Sequence, residues 1–169
     1  MIVADTGPII AFARLGRLGL LSDVVGVLII PDAVYEALVS RGQGRPGASE
    51  LAQGTWMQRR TVTESASVAQ LPPVLHRGER EAIILAEELQ AQFLIDEQRG
   101  REVATARGLA VLGSLRILGE AKRCGFIAAV RPLIEELLPS GYWIHEARVL
   151  QAFLQEMGEM PSTPEPPQV

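Results

Sequence analysis

The chain has 169 residues, 47% apolar and 21% charged, which suits one globular unit with a buried core and excludes fibrous or wholly disordered classes. Its formal net charge of −4 excludes broad, charge-driven coating of DNA, a mode that needs many neutralised phosphates. No window of the sequence approaches the roughly 20 apolar residues of a bilayer span, and no basic segment precedes Met1-Ile2-Val3-Ala4-Asp5, so a soluble, cytoplasmic protein with no membrane partner is expected.

From the amino end, Ile2 to Ala4 reads as a short buried strand stopped by Asp5-Thr6-Gly7-Pro8. Ile9 to Leu21 carries apolar residues at helical spacing, and Val27 to Ile30 is a second strand ended by Pro31. Asp32 is placed to cap the next helix, which the pattern carries to about Val39. Residues 41 to 55 read as a loop with one helical turn near Gly47 to Gln53, followed by a small strand over Met57 to Thr63. Strong helix formers occupy Gly78 to Gln92, and Phe93-Leu94-Ile95 gives another strand running to Asp96. Arg99 to Arg107 predicts a helix capped by Gly108, and Ala110 to Leu112 a further strand. Helices then follow over Ser114 to Arg123, Ile127 to Leu138 and Ile144 to Met157, the last with an apolar stripe. Strands alternating with helices predict an α/β fold of three layers, α/β/α, around a mainly parallel sheet of four to five strands. The domain is drawn over residues 1–158, with a disordered proline-rich tail at 159–169.

In an open parallel sheet the ligand crevice lies beyond the carboxyl ends of the strands, where Asp5 and Asp96 both fall. Glu81 shares a helix face with Ile84 and Leu85, a charge beside a stripe that should face protein. Glu36 follows closely after the second strand. Converging carboxylates repel and drift towards protonation unless a cation neutralises them. An oxygen-only donor set favours Mg2+ or Mn2+. Glu79 and Glu97 are possible substitutes for Glu81 and Asp96, and each acid also has a bland reading as a cap or a surface partner of arginine. Of 16 basic residues, all but Lys122 are arginine, whose planar fork suits phosphate, so Arg59, Arg60, Arg77, Arg80, Arg99 and Arg101 are candidate contacts, weighed against ordinary solvated charge.

Other chemistries fit poorly. Gly42-Gln43-Gly44-Arg45-Pro46-Gly47 matches a dinucleotide-loop pattern but follows a helix rather than a strand. His76 and His145 have no partners at zinc-ligand spacing. No G-x-S-x-G or P-loop motif occurs. A receiver domain would want an acidic pair where Thr6 and Gly7 stand, and a haloacid-dehalogenase phosphatase a second aspartate at Gly7. The lone Cys124 cannot form an internal disulfide and is expected as a buried free thiol.

From about Ile2 to Leu138 the sequence resembles the PIN-domain nucleases, in a prokaryotic branch related to the VapC-type toxins. The resemblance is carried by Ile2-Val3-Ala4-Asp5-Thr6-Gly7-Pro8-Ile9-Ile10, Ile30-Pro31-Asp32-Ala33-Val34-Tyr35-Glu36-Ala37-Leu38, Gly78-Glu79-Arg80-Glu81-Ala82-Ile83, Leu94-Ile95-Asp96-Glu97 and Gly108 to Ser114. It implies a PIN-like fold and a metal-dependent ribonuclease whose catalytic acids are Asp5, Glu36, Glu81 and Asp96. Asp5, Glu81 and Asp96 would hold the metal, and Thr6 and Ser114 would be polar groups beside it. It further implies an RNA substrate, a homodimer and, for a toxin, a small antitoxin over the acidic site. Arg99 and Arg101, from the residues themselves, are kept as possible phosphate contacts. Many members carry a further aspartate where Gln98 and Arg99 follow Glu97. The rival readings are a PIN-like nucleic-acid-binding or regulatory module without turnover, and a metal-dependent phosphatase of small phosphoesters.

Overall fold

The computed structural model describes residues 1–40, 54–140 and 147–159. Among these, one sheet contains β1 (Ile2–Ala4), β2 (Leu28–Pro31), β3 (Met57–Arg60), β4 (Gln92–Leu94) and β5 (Val111–Leu112), all parallel, in the order β3-β2-β1-β4-β5. β1 is central: Val3 pairs with Ile29 on one side and Phe93 on the other. The chain steps outward from β1 to β3, then returns to the opposite side for β4 and β5. Strand order therefore reverses between β1 and β4, where loops diverge and leave a crevice at the carboxyl ends.

The helices are α1 (Thr6–Arg14), α2 (Leu18–Val25), α3 (Asp32–Tyr35, continued by a π-helical turn at Glu36–Ser40), α4 (Ser65–Gln70), α5 (Arg77–Glu88), α6 (Gln98–Ala106), α7 (Ser114–Arg123), α8 (Arg131–Leu137) and α9 (Ala147–Glu156). Alternation along the strands divides the core. Ala4, Leu28, Ile30 and Leu94 face a cluster with Phe12, Leu21, Leu118, Ile134 and Leu154, while Val3, Ile29, Phe93 and Ile95 face one with Ile83, Leu85 and Ala104. One helix layer is thus α1, α2, α7, α8 and α9, and the other is α5 and α6. Central strands apolar on both faces are what a sheet covered on both sides requires. No helix of the described residues is long and apolar enough to cross a membrane.

Several boundaries differ from the sequence reading. The apolar pattern from Ile9 to Leu21 is two helices, because Gly16 adopts φ +62 and the Gly16 and Arg17 N–H groups bond back to Ala13 and Phe12. Periodicity misses this break, since both helices bury the same face. Asp32 does not cap α3: it is the first helical residue, after Pro31, and its carboxylate accepts from Arg59 Nε. Cys124 is exposed rather than buried, in the turn that closes α7. Glu159, assigned by sequence to the tail, accepts from Lys122 Nζ and from the Val130 and Arg131 N–H groups, tying the end of α9 to the start of α8. The remainder of the tail, His145 and the glycine-rich segment at 42–47 lie outside the described residues.

Candidate active site

Asp5 follows β1 and caps α1. Its Oδ2 accepts from the Gly7 N–H at 3.4 Å and its Oδ1 from Thr6 Oγ1 at 3.2 Å. Only 7% of Asp5 is exposed. Burial pushes its carboxyl above the usual range, the bonds from Thr6 and Gly7 oppose that, and the nearby charge of Asp96 adds to it. A carboxylate at a helix N-terminus is favourable, yet here desolvation outweighs the cap.

Asp96 stands on the other side of the strand-order reversal, just past β4. Its Oδ1 accepts from the Ser114 N–H at 2.7 Å and its Oδ2 from Ser114 Oγ at 2.6 Å. Ser114 opens α7 and is fully buried, so β5 and α7 fix the orientation of Asp96 through one residue.

The third acid of the crevice is Glu79, in the first turn of α5. Its Oε2 accepts from the His76 N–H at 2.7 Å, a reach back to the residue before the helix that satisfies an otherwise orphan donor. Its Oε1 is buried with no hydrogen-bond partner among the described residues. Burial raises its carboxyl, and the charges of Asp5 and Glu97 act in the same direction. Bare glycines let the elements close on these acids. A Cβ on Gly78 would lie 3.7 Å from Asp5 Oδ1, one on Gly100 3.0 Å from Glu79 Oε1, and one on Gly113 3.2 Å from Asp96 Oδ1.

Glu81 and Glu36 are placed differently. Glu81 Oε2 accepts from the Ala33 N–H at 2.9 Å, satisfying the start of α3, and its Oε1 accepts from Arg77 Nε at 2.7 Å. Arg77 Nη1 also reaches Glu36 Oε2 at 3.4 Å. Beside them Asp32 pairs with Arg59, which holds the Asp32 carboxyl below its usual range. Glu97 caps α6, accepting from the Arg99 N–H at 2.5 Å and the Gly100 N–H at 3.3 Å.

The structure thus brings Asp5, Glu79 and Asp96 to one crevice, with Thr6 and Ser114 bonded to the aspartates. It commits Glu36 and Glu81 to Arg77. Of the arginines named as phosphate contacts, Arg59 lies 4.8 Å over the Tyr35 ring, and Arg101 donates to backbone carbonyls. Arg60 and Arg99 are exposed, and Arg80 Nε is buried without a partner among the described residues. Among the described residues, no three His, Cys, Asp or Glu side chains form a ready metal cage as placed. In kind, the donors fit a hard divalent cation: they are carboxylate oxygens alone, mutually repulsive, with Glu79 Oε1 unused.

Comparison with known proteins adds a family. Residues 1–159 match a family model, DUF3368, described as a PIN domain. No curated protein matches the chain. Among solved structures, a PilT N-terminus domain protein from the hyperthermophilic archaeon Sulfolobus solfataricus P2 is similar, with 15% identity and a TM-score of 0.47 over 86% of this chain and 98% of that one.

Proposed function

Because the chain belongs to the PIN-domain family, whose members are generally nucleases, we propose that it is a divalent-metal-dependent ribonuclease acting at the crevice of Asp5, Glu79 and Asp96. One observation carries this reading: the buried Asp5 is held by Thr6 and Gly7 rather than by a cationic side chain, and the neighbouring Glu79 keeps a buried oxygen with no donor among the described residues. A structural carboxylate in such a place is normally paired or neutral. Asp5, Glu79 and Asp96 would hold Mg2+ or Mn2+, which supplies charge neutralisation and Lewis-acid polarisation of the phosphate when bound.

The chain's own residues orient the reaction. The Ser114 N–H and hydroxyl fix both oxygens of Asp96 in one plane, and Thr6 steers Oδ1 of Asp5. Glu79 is anchored through one oxygen and presents the other. Holding reactants in position beside preformed charge is the main demand of phosphodiester cleavage. No protein nucleophile is needed.

A binding module without turnover is the second reading, favoured by the absence of three ready ligands among the described residues. The two separate on a pool of labelled RNAs given wild-type protein or Asp5→Asn, with Mg2+, Mn2+ or chelator. Cleavage that requires metal and disappears in Asp5→Asn supports the nuclease. RNA binding that ignores metal, with no cleavage in either protein, supports the module. On the nuclease reading, an antitoxin would act by covering this crevice, and a homodimer would appear as a doubled mass in solution.

A further inference from the structure

Arg101 sits at the start of α6, the helix that follows Asp96 and Glu97. Its guanidinium turns back into the sheet edge: Nη1 donates to Ile95 O at 2.8 Å and to Leu112 O at 3.2 Å. These carbonyls lie at the carboxyl ends of the two strands that lead into Asp96 and Ser114. Leu112 O also accepts from the Ile95 N–H at 2.9 Å, so the guanidinium reinforces the last rung of the β4–β5 ladder. A Cβ on Gly113 would sit 3.0 Å from Arg101 Nη1 and 3.2 Å from Asp96 Oδ1. Guanidinium and carboxylate therefore flank the same bare glycine.

We propose that Arg101 is a positioning residue, whose guanidinium pins the ends of β4 and β5 together and thereby fixes the Asp96–Ser114 pair, and that it makes no contact with substrate phosphate. The inference rests on the reading of Asp5, Glu79 and Asp96 as the cation and RNA site. Ser114 reaches Asp96 by a backbone and a side-chain bond, so any slip of Leu112 or Gly113 rotates the carboxylate. Partners that orient a ligating group are worth about 10- to 100-fold in metal affinity or activity. With Nη1 bonded to two carbonyls, that nitrogen is taken out of the fork that phosphate would grip.

The test uses the full chain carrying Arg101→Gln and, separately, Gly113→Ala, whose Cβ would crowd Arg101 Nη1 and Asp96 Oδ1 together. For each, Mn2+ affinity is titrated, kcat and KM for RNA cleavage are measured, and RNA binding in chelator is followed against salt. Both variants are expected to lose about 10- to 100-fold in Mn2+ affinity or kcat, with melting cooperative and the salt dependence of RNA binding unchanged. A phosphate contact would give the opposite pattern: Mn2+ affinity kept, and a salt slope reduced by about 1 in Arg101→Gln. That result overturns the inference, as does a wild-type pattern in both variants. If Arg101→Gln does not fold, Arg101→Met, which keeps the apolar stem without charge or donors, is read in its place with the same outcomes. A wild-type chain that neither takes up Mn2+ nor cleaves RNA overturns the nuclease reading itself, and this inference with it.

Discussion

Two groups of acids lie side by side at the carboxyl edge of the sheet, and they are neutralised in different ways. Asp32, Glu36 and Glu81 are matched with Arg59 and Arg77. Asp5 and Glu79 are more deeply buried, at 7% and 5% exposure, and both are raised above the usual carboxylate range. The first group is what a folded chain does with acids it keeps for structure: each has a cation or an amide. The second is destabilised as it stands, a condition that persists where function requires it. Carboxylate clustering by itself therefore says little, and the supply of counter-charge says more.

The comparison predicts the largest effect at the crevice acids. Asp96→Asn should lower metal-dependent RNA cleavage by more than about 100-fold, since even groups that merely orient a ligand are worth up to that much. Initial rates in Mg2+ and Mn2+ measure it. Next is Gly100→Ala, whose Cβ would meet Ile95 Cδ1 as well as Glu79 Oε1 at 3.0 Å. Crowding of that kind costs about 1–3 kcal/mol, read as a lower denaturation midpoint.

The raised carboxyls give a pH signature with a definite sign. In chelator, the folded state binds more protons at Asp5 and Glu79 than the unfolded chain does. Their contribution to stability is then full below the ordinary carboxylate range and is lost as pH rises from there through the raised folded values. At neutral pH without metal, the melting temperature of Asp5→Asn should exceed that of wild type, and added Mg2+ should narrow or reverse the gap. Equal melting curves from acid to neutral pH would contradict the unpaired-acid account. The smallest effect belongs to the paired group: Arg59→Ala, at an exposed ion pair, should barely move the melting temperature and leave cleavage intact.

Much of this was legible in the sequence. β1, β2 and β4 announce themselves as apolar runs because both their faces are covered, and Asp5 and Asp96 follow from being the first acids beyond two of them. The order of the strands was not legible, and only that order places the reversal between β1 and β4 and so brings the two aspartates together. α4 escapes pattern reading because it buries no residue. The choice between Glu79 and Glu81 escapes it for the opposite reason: every residue from Ala82 to Leu85 is buried, so neither glutamate lies opposite a clean polar face. What separates them is local bonding. Glu79 reaches back to the His76 N–H, while Glu81 is taken by Ala33 and Arg77 from a distant element. The role of Arg101 is likewise invisible in composition, since an arginine bonded to carbonyls looks the same in sequence as one awaiting phosphate.

The central claim is that Glu79, with a buried oxygen left unused, serves the site with Asp5, and that Glu81, held by Arg77, does not. The most direct test is Mn2+ titration, by calorimetry or electron paramagnetic resonance, of wild type, Glu79→Gln and Glu81→Gln under identical conditions. The account predicts that wild type and Glu81→Gln bind Mn2+ alike, while Glu79→Gln binds at least about 10-fold more weakly. Loss of binding in Glu81→Gln with Glu79→Gln unaffected would contradict it and return the metal to the acid now held by Arg77.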